Sequence, residues 1–281
     1  MKRFLILFIA AVFPQIPHPP GGAPTSWLSR YDLDDSAARS IKLPARLAEA
    51  SGLAITEDGK LFCHDDENGV LYQVDYHTWK IVKRFSLGSF TLSGDFEGIA
   101  VKGTTFYLVT SSGILYESRE GADGEKVKYN VYRTSLSKEN NVEGLEYDKD
   151  SDCLLLACKG AAGKGLQDCR AVYAFSLKTH KLEPEPRMII PLHSVDSHKG
   201  KFHPSGIAKH PASGTYFLIS AEGSVIVETD AAGNVLARAD LSRTLNPRPE
   251  GIAFAPDYTM ILCNDGKMGG QGRLVLYRLR K

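Results

Sequence analysis

Several features are missing from this 281-residue chain, and each absence removes a class of protein. Neither sign of charge dominates: Lys+Arg number 34 and Asp+Glu 33, a formal net charge of +1. With no long basic run either, the electrostatic footprint of a nucleic-acid binder is absent. No apolar run approaches the roughly 20 residues that a membrane-spanning helix needs. Hydrophobic residues at 43% and charged residues at 24% leave no room for wholesale disorder, a collagen-like chain or a polytopic membrane protein. There is no G-x-S-x-G elbow and no H-E-x-x-H, and KGAAGKG from Lys159 lacks the strand-to-helix setting of a phosphate loop. The chain is nonetheless long enough for a full core and within the span of one all-β domain.

The N-terminus reads MKRFLILFIAAVF, two cations followed by ten apolar residues that stop at Pro14. That is the pattern of an export signal. The following PQIPHPPGGAPTS stretch has the composition of a flexible leader. Residues 1–23 are therefore read as signal peptide and leader and 24–281 as one domain, with a periplasmic or extracellular destination. The mature protein is expected to have no stable membrane span.

What is present is a repeat. SGLAI at Ser51, EGIAV at Glu97, EGLEY at Glu143, SGIAK at Ser205 and EGIAF at Glu250 each place Ser or Glu before Gly and a short apolar run. Their glycines are separated by 46, 46, 62 and 45 residues. Second and third runs rich in β-branched and aromatic residues follow, with turn residues between them. A period near 45 residues with four short strands per unit predicts a β-propeller, here all-β and five-bladed. The interval of 62 residues is too short for two blades and reads as one blade with an insertion. After Gly251 too little chain remains for four strands, so the last blade is expected to be closed by an N-terminal strand, Tyr31–Leu33 or Ser40–Leu43.

The motifs LAEASGL (Leu47–Leu53), GDFEGIAV (Gly94–Val101), NVEGLEYD (Asn141–Asp148), HPSGIAKHP (His203–Pro211) and RPEGIAF (Arg248–Phe254) resemble the SdiA-regulated family. These are exported bacterial five-bladed propellers, distantly similar to NHL-repeat proteins. The resemblance covers roughly residues 28 to 281. It implies a bound calcium ion and no established enzymatic activity.

The strand order of a blade carries the site prediction further. The start of an inner strand and the end of the second strand lie at the same face, so Ser51, Glu97, Glu143, Ser205 and Glu250 should approach one channel mouth, with Asp65, Asp66, Asn264 and Asp265. Such a group of acids requires a cation, an Arg or shared protons. Ca2+, which takes six to eight oxygen ligands, suits carboxylates offered from separate blades. The candidate ligands are Glu97, Glu143 and Glu250, then Asp265 and Asp65. A simpler reading has Gly permitting close backbone approach at the start of each inner strand and Glu bonding a neighbouring blade's amides.

His193, His198 and His203 are five residues apart, a poor spacing for zinc, and read as a solvated loop. His203, like His64 beside Asp65, is a further candidate at the mouth. Of the five cysteines, Cys63, Cys158 and Cys263 read as buried hydrophobes at equivalent places in three second strands. Cys158 and Cys169 bracket a hairpin and could pair, with Cys153 as competitor.

Two functions follow from these residues. One is a calcium-binding propeller acting as a binding or scaffold module for a protein or small-molecule ligand at the mouth, monomeric by default. The other is a calcium-dependent hydrolase of lactones or phosphoesters. Few cations besides Arg248 and Lys267 are available for a phosphate. A purely structural interaction platform without metal would instead place its affinity on exposed apolar residues.

Overall fold

The structure, a computed structural model, describes residues 26–90, 92–195, 202–266 and 270–280. The export signal and leader expected over residues 1–23, and also His198 and Lys267, lie outside them. Each repeat folds as an antiparallel sheet whose inner strand carries the motif glycine. A first strand, β1 (Arg39–Lys42), precedes the repeats. Blade one is β2 (Ala50–Ile55), β3 (Leu61–Asp65), β4 (Val70–Asp75) and β5 (Lys80–Leu87). Blade two holds β6 (Phe96–Lys102), β7 (Thr105–Thr110) and β8 (Ile114–Arg119), and is completed by β10 (Tyr129–Arg133). The intervening β9 (Lys126–Val127) leaves that blade and pairs in parallel with β5 of blade one. Blade three has β11 (Val142–Asp148), β12 (Cys153–Cys158), β13 (Cys169–Ser176), β14 (Lys181–Leu182) and β15 (Met188–Pro191) in one sheet, so the long interval is a single blade. Blade four is β16 (Gly206–Lys209), β17 (Tyr216–Ser220), β18 (Val225–Thr229) and β19 (Val235–Asp240). Blade five is β20 (Pro249–Phe254), β21 (Met260–Asn264) and β22 (Arg273–Tyr277), with β1 as its outer strand. The protein is an all-β, five-bladed propeller.

The core is divided into five slabs, each between neighbouring blades. A strand between two slabs buries both of its faces, which is why second strands such as CLLLAC read as unbroken apolar runs. In β12, Leu154, Leu156 and Cys158 pack towards blade two, while Cys153, Leu155 and Ala157 pack towards blade four. Cys63, Cys158 and Cys263 are buried as expected. Their places, however, are not equivalent: Cys63 pairs with Leu53, Cys158 with Val142 and Cys263 with Gly251. Cys63 and Cys263 consequently enter the same slab, between blades five and one. All five thiols are free, so Cys158 and Cys169 form no disulfide.

Closure uses both candidate segments. β1 pairs with β22 from Arg39 opposite Leu276 to Lys42 opposite Arg273, and Tyr31 forms a separate bridge with Leu279. Glu228 of β18 holds the segment from the other side, its carboxylate accepting bonds from the Ser26 hydroxyl (2.6 Å) and the Leu28 amide (2.8 Å). Tyr31 fills the slab between blades four and five, beside His210, Phe217 and Phe254. Backbone amides of Ala212 and Ser213 point at His210 Nδ1 (3.3 and 3.2 Å), which makes that atom the acceptor and leaves the proton on Nε2, facing the Tyr31 hydroxyl at 3.1 Å.

The motif glycines pack from blade to blade in a ring. A Cβ on Gly98 would lie 2.8 Å from the Leu145 amide nitrogen, one on Gly144 3.1 Å from that of Ile207, and one on Gly206 3.1 Å from the Glu250 carbonyl. One on Gly251 would lie 2.9 Å from the Gly52 Cα, and one on Gly52 3.1 Å from Ile99 Cγ2. The repeat glycine is thus required by close approach. None of the five has positive φ. At this ring the axial space falls to about 10 Å3, no more than the room for one water.

Candidate functional site

The residue before the glycine owes its direction to a β-bulge. Register shifts occur between Ala50 and Gly52, Phe96 and Gly98, Val142 and Gly144, and Pro249 and Gly251. Ser51, Glu97, Glu143 and Glu250 are therefore extra residues outside the regular ladder, the arrangement by which bulges re-aim side chains. In blade four Ser205 instead donates from its hydroxyl to the Pro249 carbonyl at 2.6 Å, tying that blade to the next.

Glu97, Glu143 and Glu250 line the narrow axial space together, as the repeat predicts. Glu143 accepts bonds from Asn141 Nδ2 (2.8 Å) and Lys159 Nζ (3.2 Å). Glu250 lies 3.5 Å from the Arg248 guanidinium, which also stands 3.6 Å from Asp265. Glu97 has no ion-pair or hydrogen-bond partner among the described residues. Burial, reinforced by Glu143, Asp95, Glu250 and Asp66, pushes its carboxyl up to about 9. Burial and Glu143 raise Glu250 to about 7, opposed by Lys159 and Arg248, and burial also raises Glu143 against the pull of Lys159. Among the described residues, the mouth therefore holds more acid than Lys159 and Arg248 neutralise.

The remaining candidates divide. Asp265 belongs to this mouth, beside Arg248 and Glu250. Asp65 lies at the same end of blade one, but its Oδ1 accepts the amides of Glu67 (3.1 Å) and Asn68 (2.8 Å) and so fixes the turn into β4. His64 is fully buried, opposite Gly52. Its Nδ1 donates to the Asp65 carbonyl at 2.8 Å and its Nε2 has no hydrogen-bond partner. Burial lowers its pKa to about 4, leaving a neutral ring with a free lone pair on Nε2. His203 sits 3.2 Å from the Lys159 carbonyl and 3.9 Å from Glu222, with Arg170 at 3.2 Å. His193 lies in a short 3-10 turn after β15. Among the described residues no three His, Cys, Asp or Glu side chains stand close enough as arranged to ligate one ion.

Sequence reasoning missed Lys159, whose KGAAGKG context was set aside as a poor phosphate loop. The available signal was its position immediately after a second strand, the place that Asp66 and Asp265 hold in blades one and five. It also missed Asp95, held at the mouth by its contact with the Ser111 hydroxyl.

No protein-family model matches the chain, and no curated protein sequence matches it. Solved structures do. A glutaminyl cyclase from Myxococcus xanthus superposes with a TM-score of 0.56 at 19% identity, over 86% of this chain and 96% of that one. A streptogramin B lyase gives 0.50 at 12%, over 86% and 97%. A chain of the mitotic checkpoint complex gives 0.50 at 9%, over 98% and 100%. At these identities the likeness establishes the propeller fold alone, and the fold serves enzymes and assemblies alike.

Proposed function

We propose that this protein is an exported binding module whose acidic mouth takes up Ca2+. The ion neutralises the buried acids, steadies the ring and shapes the mouth for a protein or small-molecule ligand. One observation carries the reading: Glu97 is desolvated, surrounded by carboxylates and without a cationic partner among the described residues. The donor set, carboxylates from blades two, three and five, suits a hard cation in its chemistry. Uptake requires Glu143 to exchange Lys159 for the ion. The resemblance of the repeat to the SdiA-regulated family implies the same ion.

The test is thermal unfolding after exhaustive chelation, repeated across a calcium titration with magnesium as control. A saturating rise in midpoint is expected with calcium, following RT ln(1 + [L]/Kd), and its loss in Glu97→Gln. No response of the wild type to either ion overturns the proposal.

The metal-free protein has its own signature. Glu97 keeps its proton in the folded state up to about pH 9, whereas an unfolded glutamate releases it near 4.3. Stability contributed by this group is therefore complete below the unfolded value and declines as pH rises towards 9. Glu97→Gln should raise the midpoint of the chelated protein at pH 8, with the gain vanishing near pH 4. A pH-independent difference would assign the effect to packing.

A calcium-dependent hydrolase is the second reading, favoured by His203, a base placed beside Lys159 and Glu222 at the mouth. It predicts turnover of a lactone or phosphoester, lost in both His203→Ala and Glu97→Gln.

A further inference from the structure

Beyond the glycine ring, at the opposite end of the axis, the propeller opens into a cavity of about 730 Å3 lined by all five inner strands. That volume is in the range of small-molecule sites. Two residues after each motif glycine the strands contribute Ala54, Ala100, Ala208 and Ala253 to its wall. The fifth strand contributes Glu146. The ladder registers make the five positions equivalent, since Ala54 faces Phe62, Ala100 Tyr107, Glu146 Leu155, Ala208 Phe217 and Ala253 Ile261. The fold is satisfied by alanine here four times, so a carboxyl at the fifth serves no requirement of the ring.

The surroundings restrict what Glu146 can meet. Burial raises its carboxyl to about 8, and the Lys209 backbone amide is its hydrogen-bond donor. The lysines at the rim are already taken: Lys102 by Asp152, Lys149 by Glu57 at 3.0 Å, and Lys209 by Asp148 and by Asp150 at 2.6 Å. Glu146 has no ion-pair partner among the described residues. Ile55, Val101, Tyr147, Phe254 and Pro256 give the wall an apolar and aromatic character suited to a hydrocarbon body. A carboxyl facing such a space is more readily ionised beside a cationic partner, and once ionised it repels an anion.

We propose that this cavity is a binding site for a small organic ammonium, with Glu146 pairing the cationic group and the alanine collar and the aromatic wall enclosing its apolar body. The site is separate from the acidic mouth, and calcium plays no part in it.

Three probes that share one apolar body but differ in charge test it: 2-phenylethylamine as cation, 2-phenylethanol as neutral control and phenylacetate as anion. Each is titrated calorimetrically into the full chain in chelator at about pH 9, above the value to which burial raises Glu146, so that its carboxylate is ionised while the amine is still largely charged. The amine should bind saturably, at least roughly tenfold more tightly than the alcohol, with no binding of phenylacetate. Glu146→Ala, which gives the fifth strand the residue of the other four, and Glu146→Gln should both fold with undiminished thermal midpoints and lose the preference for the amine. Equal binding of amine and alcohol, amine binding retained in Glu146→Ala, or no amine binding up to about 10 mM would each overturn the proposal.

Discussion

A chain beginning at Leu43 is expected to lose its cooperative thermal transition and to aggregate, whereas one beginning at Ser26 should unfold like the full-length protein. The shorter chain lacks β1, so the whole of β22 becomes an open edge with unpaired backbone groups, a template for another chain. It also lacks Leu28 and Tyr31, which are 2% and 1% exposed in the slab between blades four and five. Each such side chain contributes roughly 1.5–3 kcal/mol through burial. Glu228, 1% exposed with the segment in place, also loses the Ser26 and Leu28 donors while keeping that of Thr215 (2.8 Å), a further roughly 0.5–1.5 kcal/mol per lost bond. Together these losses approach or exceed the roughly 5–15 kcal/mol that separates folded from unfolded domains. Starting the chain at Ser36 separates the contributions: β1 remains, while the Tyr31 bridge and the Glu228 clamp are gone. A lowered but still cooperative midpoint is expected. A sharp transition at the wild-type temperature for the chain beginning at Leu43 would show that blade five stands without its outer strand.

Gly98→Ala is expected to cost roughly 1–3 kcal/mol, at the upper end, and to lower the midpoint by several degrees. The added methyl would sit 2.8 Å from the Leu145 amide nitrogen and 2.9 Å from its Cβ, and neither atom belongs to a flexible side-chain end. Blades two and three would have to separate where five strands already meet. Gly144→Ala should cost less, because its closest contacts lie between 3.0 and 3.2 Å. Chemical denaturation of the two variants checks the order; equal losses would mean that the ring relaxes as a whole.

The same glycines show why the fold was legible in the sequence. Close approach at the axis leaves a fixed mark, one residue without a side chain per blade, and slabs on both faces of each second strand leave an apolar run. The closing strand was legible from the shortage of chain after Gly251, although two segments were candidates and the protein uses both. Much of the mouth was legible too, because Glu97, Glu143 and Glu250 share a column of the repeat. Their compensation was legible in part: Arg248 stood among the few cations of the motifs and does reach Glu250 and Asp265, whereas the pairing of Lys159 with Glu143 depends on side-chain reach, which the position of Lys159 after a second strand only hints at. The bulges escaped for a related reason, since the extra residue is visible only against its partner strand. Cys63, Cys158 and Cys263 show the limit of reading by similarity, because a shift of one residue in register sends a side chain to another slab. Glu146 stood in the open within EGLEY, against alanine in the other four motifs, and its meaning required the cavity.

The pairing of β1 with β22 joins the two extremes of the described chain and so sets an order of assembly. Blades one to four can each gather from nearby residues as they become available, with β9 added to blade one from beyond β8. The fifth cannot be finished until Arg273–Tyr277 has arrived, and until then β1 waits without its partner. Such a long-range closure is a slow step, since its entropy must be met before its contacts form. Under the proposed export, a chain crossing the membrane unfolded would gain from that delay: no ring could lock while its last strand was still on the other side.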